Sequence, residues 1–284
     1  ATEAKIGKAL RKLMNNNGFS NVKLVGYEHN WDDASAYPVT LINDAPNAFA
    51  GVAFHCYAGN VAQMDDFHNQ HSDKEIYFTE CAGTIGSDWW SDIKWYSDNI
   101  FIGGVNHNAV SGLMWNIALD GNGNPKLPGT NSCGGSGCRA IVTVNSDGSW
   151  SPNQEFYAMA HLSKATIPKD AGGPVGKRIG VSVGGDLNWA LLVNAFVTER
   201  TSSSEWLRYS LVVLNCTLRL TPEQTTIEFR GQQATYTFPV GVTTLWWYAA
   251  ADSLKEGDEE IRVGDTGREE AFVAEGAQKA FGSF

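Results

Sequence analysis

The sequence predicts an α/β region built of parallel βα units, followed by an antiparallel β-sandwich. Three observations predict this. Up to about residue 165, short apolar runs alternate with stretches of helical periodicity. From 166 to about 250, alternating β-branched and aromatic runs take over, separated by glycine turns. Residues 251–284 then carry nine acids against four bases with little periodicity, which predicts a solvated, disordered tail.

The elements follow in order. Residues 2–15 read as a helix, with Ile6, Leu10 and Leu13 at helical spacing and Asn15-Asn16-Asn17-Gly18 as its stop. Val22 to Tyr27 reads as a buried strand, and Pro38 to Leu41 begins a short helix. Residues 51–55 form the second strand, 61–71 a polar helix, and 75–79 the third strand, ending at Glu80. Trp89 to Gly103 has helical spacing, 111–115 reads as a fourth strand, and 154–164 as a last helix. Strands spaced by helices imply parallel pairing. The sandwich strands are expected at 187–197, 207–215, 225–230, 234–238 and 243–248.

Composition narrows the function. The 284 residues are 43% hydrophobic, enough for a core, and only 18% charged, with 10 Trp. A net charge of −10 argues against nucleic acid and against an anionic membrane surface, since both need a basic face. No apolar run approaches the ~18 residues of a membrane span. Many Trp with few Lys suits a flat, neutral ligand such as a sugar ring.

Cys133 and Cys138 bracket a Gly-rich loop with no His nearby, so a local disulfide in an oxidising compartment is the better reading than a metal site. Cys56 and Cys81 are core thiols or a second pair, and Cys216 lies in an Asn-Cys-Thr sequon. His68 and His71 lack a third ligand, and Gly134-Gly135-Ser136-Gly137 lacks the lysine and the context of a phosphate loop. No metal or organic cofactor is indicated.

Polar and aromatic residues collect just past the strands. Glu80 follows the apolar run 76–79, where a carboxylate is placed for catalysis. His55 and Tyr57 share one strand face by alternation, and together could position a carboxylate and bond a sugar hydroxyl. Trp115 ends its strand and can floor a pyranose ring. Glu28, His29, Asn30 and Trp31 directly follow the first strand, two donors, an acid and an aromatic that suit a sugar site. A core histidine, packed tryptophans and solvated carboxylates are the alternatives on these residues alone.

The strings VKLVGYEHNWD, GVAFHCYAG, IYFTECAGT, SGLMWNIALDGNGNPKLPG and IPKDAGGPVGKRIGV decide more. In order and spacing they resemble glycoside hydrolase family 30, in its fungal endo-β-1,6-glucanase branch, over roughly residues 1–250 apart from 215–224. The resemblance implies the C-terminal half of a (β/α)₈ barrel over 1–165 and a β-sandwich over 166–250. It implies a retaining mechanism with Glu80 as nucleophile and His55, Tyr57, Trp115, Trp31 and Glu28 on the substrate side. The family's acid/base motif, Asn-Glu-Pro, is missing from the chain. The resemblance therefore implies a fragment that folds poorly and is nearly inactive alone, with the missing half and a signal peptide upstream. Its parent would be a secreted monomer acting on β-glucan. A glucosylceramidase or β-glucosidase of the same family, and a non-catalytic carbohydrate-binding remnant, are the other readings.

Overall fold

The computed structural model describes residues 2–130, 133, 136–216, 222–251 and 260–265. The chain divides into two compact units, 1–156 and 157–284.

In the first unit, helix α1 (Thr2–Asn16) leads to strand β1 (Val25–Asn30). Helix α2 (Tyr37–Asp44), strand β2 (Gly51–His55), helix α3 (Met64–His68) and strand β3 (Glu75–Glu80) follow. The three strands pair in parallel in the order β1-β2-β3, as expected for βα units. Val52, Ala53, Phe54, Ile76 and Phe78 are almost wholly buried, together with Leu41 and Ile42 of α2 and Phe67 of α3. The near-continuous apolar runs of β2 and β3 suit strands covered on both faces.

Helix α1 forms over the expected span, yet the apolar face read from its spacing is not its packed face. Ile6, Leu10 and Leu13 stay exposed, and the helix packs through Ala4 and Gly7. A Cβ on Gly7 would lie 2.3 Å from the Phe49 ring, so only glycine allows this approach.

Strand β1 begins three residues later than expected and runs to Asn30. Its pairing with β2 slips between Gly26 and His29, and Tyr27 and Glu28 hold φ of 72° and 50°. One extra residue is accommodated there as a β-bulge.

The expected fourth strand is irregular. Residues 109–115 run beside β3, with Val110 N–H bonded to Ile76 O, Leu113 N–H to Phe78 O and Trp115 N–H to Cys81 O. The Ser111 hydroxyl both accepts from Phe78 N–H and donates to Phe78 O, each at 3.1 Å. A side chain occupies what would be a ladder rung, so a regular strand does not form.

The long helix expected over 89–103 is three pieces: α4 (Trp89–Tyr96), a π-turn (Ser97–Phe101) and α5 (Gly103–Asn106). Short strands β4 (Gly83–Thr84), β5 (Ala118–Leu119), β6 (Cys138–Arg139), β7 (Val142–Val144) and β8 (Trp150–Pro152) order the loops beyond. Strand β4 pairs with β6, and β5, β7 and β8 form a small sheet. Cys56–Cys81 and Cys133–Cys138 are disulfide-bonded.

Helix α6 (Gln154–Thr166) contains the division between the units, which the sequence reading puts after 165. The second unit holds β9 (Lys177–Ile179), β10 (Val181–Val183), β11 (Leu191–Thr198), β12 (Leu207–Asn215), β13 (Glu223–Phe229), β14 (Gln232–Phe238), β15 (Gly241–Ala249) and β16 (Ile261–Asp265). They form two four-stranded sheets, β15-β12-β11-β9 and β10-β16-β13-β14. The inward residues of both, among them Val193, Tyr209, Leu211, Ile227, Phe238 and Trp247, form one core. The outer face of β12 is covered too: Arg208 donates to the Ala165 and Ile167 carbonyls at and just beyond the end of α6.

Two expectations are corrected here. Strand β10 pairs with β16 in parallel, so the sandwich is not purely antiparallel. Residues 261–265, read as solvated tail, form the inner strand β16. Ile261 and Val263 are fully buried with Arg262 between them, a period-two pattern that the acidic surroundings outweigh in a composition reading. The rest of the expected tail, 252–259 and 266–284, lies outside the described residues. Among the described residues, no helix is long and apolar enough to cross a membrane.

Candidate active site

The ends of β1, β2 and β3 lie side by side. Asn30 pairs with His55 across β1 and β2, and His55 pairs with Glu80 across β2 and β3. The row continues with Trp115, whose N–H bonds to Cys81 O. In parallel α/β sheets this carboxyl edge is where ligand sites form.

Two bulges aim the side chains. The extra residue in β1 brings Glu28 to the sheet end. A second slip, where His55 pairs with Glu80 rather than with Thr79, frees Thr79 from its rung. The Thr79 hydroxyl donates to Glu28 Oε1 at 2.7 Å, and His55 Nε2 lies 2.9 Å from the same oxygen. Glu28 thus links the tips of all three strands.

Glu80 has its own partner. The Tyr57 hydroxyl donates to Glu80 Oε1 at 2.9 Å, and Tyr57 N–H donates to Asn30 Oδ1 at 3.0 Å. Burial and then the Glu80 carboxylate push the Tyr57 phenol well above its usual range, so it stays a donor at neutral pH. The Cys56–Cys81 disulfide joins the residue before Tyr57 to the residue after Glu80. It ties the donor and the acceptor together from behind.

Trp115 is 48% exposed, so its ring is accessible from solvent. Trp31 is different. It is 1% exposed and packed on Phe78 and Trp95, with ring centroids 5.5 and 6.4 Å away. The proposed sugar contact at Trp31 is therefore corrected to a core residue, because the 3₁₀ turn 31–33 carries its ring inward. Asn30, one of the donors expected at the end of the first strand, lies at the site, where its Oδ1 accepts from Tyr57 N–H; Thr79 belongs to it as well, although the sequence does not single it out. Thr79 gave no readable signal, because strand alternation places it opposite Glu80. Among the described residues, no group of three or more His, Cys, Asp or Glu could hold a metal ion.

Below the site, a buried ion cluster braces the segment after β3. Arg139 donates to both carboxylate oxygens of Glu155, to Asp92 and to the Thr84 carbonyl. Tyr96 adds a bond to Glu155 at 3.0 Å. Burial alone would depress the Arg139 guanidinium, but its bonds to Glu155 and Asp92 raise it overall. Gly83 leaves room for this cluster, since a Cβ there would lie 1.8 Å from Glu155 Oε1.

An endo-1,6-β-D-glucanase from Neurospora crassa is 34% identical over 167 residues, 56% of this chain and 32% of that protein. The chain is similar to fungal endo-1,6-β-glucanases. Another, from Trichoderma harzianum, is 29% identical over 51% of this chain and 28% of its own length. The chain thus matches about a third of the length of these curated relatives. No family model matches. Among solved structures, an endo-β1,6-glucanase superposes with a TM-score of 0.69 at 22% identity, covering 84% of this chain and 51% of that one. A family 30 xylanase from Clostridium acetobutylicum gives 0.55 at 15% identity, covering 87% and 59%. The chain therefore shares its fold with part of that endo-β1,6-glucanase and part of that family 30 xylanase, and the resemblance to the endo-β-1,6-glucanase branch holds over the matched segments.

Proposed function

We propose that the chain carries the nucleophile side of a retaining glycoside hydrolase site for β-1,6-glucan, with Glu80 as nucleophile. The observation that carries this reading is Glu80 at the tip of β3, held by the Tyr57 hydroxyl in a row with His55 and Asn30. The similarity to endo-1,6-β-glucanases supports the substrate class. The two disulfides support an oxidising, extracellular setting.

In this reading a Glu80 oxygen attacks the anomeric carbon, and the glycosidic C–O bond breaks. The leaving oxygen takes a proton from a second carboxylic acid, and water then releases the sugar. Tyr57 fixes the attacking carboxylate. Trp115 stacks on the sugar ring. Glu28 is committed to His55 and Thr79, so its role is to hold the strand tips. The proton donor is assigned to no residue of this chain. We place it in polypeptide outside these 284 residues, which is consistent with the greater length of the relatives.

An activated 2-deoxy-2-fluoro-β-glucoside tests the nucleophile without needing a proton donor. Mass spectrometry should find the fluoroglucosyl group on the peptide containing Glu80, and none on Glu80→Gln. Labelling of another residue, or none at all, sinks the assignment. On β-1,6-glucan itself, reducing-sugar release by this chain should be lower than a complete site would give by ~10²–10⁴, the usual contribution of a general acid.

A further inference from the structure

The loop after β5 and the β7–β8 hairpin enclose a groove that the nucleophile cluster does not line. Its volume is about 540 Å³, and its lining includes Asp120, Asn122, Asn124, Val144, Asn145 and Ser146. That size lies within the ~300–1,000 Å³ of small-ligand sites.

The lining has one charge, and it is already engaged. Asp120 Oδ1 accepts the N–H groups of Asn122 and Asn124 at 2.8 and 2.7 Å, and Asn124 Nδ2 donates to Oδ2 at 3.1 Å. These bonds hold the carboxyl below its usual range and fix the loop. What the groove presents is amides, a hydroxyl and apolar side chains, Leu119 and Val144 among them. This is the lining of a site for a neutral, polyhydroxylated ligand, and it offers no cationic side chain to an anion.

An aromatic platform adjoins it. Val144, which lines the groove, pairs directly with Trp150 across the β7–β8 ladder, so their side chains share a face. Trp150 is 59% exposed and rests against Phe156, with ring centroids 6.4 Å apart. An exposed indole backed by a second ring is preorganised to stack on a sugar.

We propose that this groove, with Trp150 at its rim, is a second glucan-binding site distinct from the nucleophile cluster. The proposal rests on the β-glucan reading above, and it adds a site that the reaction itself does not require. Its function is retention: a chain held here stays near the strand tips between encounters.

The test is affinity electrophoresis of the 284-residue chain in gels containing linear β-1,6-glucan. The wild type should be retarded. Trp150→Ala should weaken retardation about tenfold, the effect of one lost stacking contact. Ser146→Arg, which fills the groove while leaving Trp150 in place, should do the same. Trp115→Ala should leave most of the retardation intact. The Trp150 ring is largely in solvent, so its removal leaves the core whole, and near-ultraviolet circular dichroism checks this. No retardation of the wild type, unchanged retardation of both groove variants, or its complete loss in Trp115→Ala would each overturn the proposal. Covalent labelling of Glu80 is read separately. Labelling without retardation removes this second site and keeps the proposed function; retardation without labelling does the reverse.

Discussion

The Tyr57 hydroxyl donates to Glu80 Oε1 at 2.9 Å, across the gap between two neighbouring strand tips. The bond orients one carboxylate oxygen, and in the proposed reaction the other attacks the anomeric carbon. Tyr57→Phe removes the bond and little volume. It should slow fluoroglucosyl labelling of Glu80 by roughly tenfold to a hundredfold, within the scale of one oriented active-site hydrogen bond. Stability, read by urea unfolding of the same variant, should change by less than about 1 kcal/mol, because Tyr57 is half exposed.

The two tryptophans of the site region should separate cleanly. Trp31→Ala opens a cavity between Phe78 and Trp95 and should cost about 3–5 kcal/mol. Trp115→Ala removes a half-exposed ring and should cost under about 1 kcal/mol while weakening glucoside binding at Glu80. Thermal unfolding and labelling kinetics of both variants check the contrast. A stable Trp31→Ala that binds poorly would return Trp31 to the substrate side.

Arg139 and Glu155 form a pair in which both partners are nearly out of water. Arg139→Met leaves Glu155 and Asp92 facing each other without their cation. The cost should be about 3–5 kcal/mol by denaturant unfolding, the usual result of breaking a buried pair from one side. Arg139→Met combined with Glu155→Leu should recover part of it, since the uncompensated charge is then gone.

Alkaline pH should destabilise the fold through its phenols. Burial raises Tyr27 to about 12, and burial followed by a nearby carboxylate raises Tyr57 and Tyr96. Each group binds its proton more tightly folded than unfolded. The stability this gives is complete below the ordinary phenol value of about 10 and is lost as pH rises through the folded values. Melting temperature should fall steadily above pH 10, and Tyr96→Phe should flatten that slope.

Much of this arrangement was legible from the sequence. The β2 strand reads directly because Gly-Val-Ala-Phe is apolar on both faces and bounded by turns. Glu80, His55 and Tyr57 were legible as residues at strand ends, and the structure brings them together. Trp31 was not, because an aromatic just past a strand has the same local pattern whether its ring turns inward or outward. The irregularity at Ser111 escaped as well, since a hydroxyl replacing a rung depends on the neighbouring strand and leaves no local periodicity. Strand β16 was hidden in a different way: Ile-Arg-Val is a short alternation inside an acid-rich stretch, and composition outvoted it.

The bulge in β1 carries a further consequence. Gly26 and His29 pair on either side of one surplus residue, and that surplus alone sets the phase of Glu28 relative to His55. A relative shorter by one residue here would keep its apolar rungs and lose the cross-brace. Length, not identity, is the heritable specification at this point: an aligner would score one gap as a minor event, while the molecule would lose the link among its three strand tips.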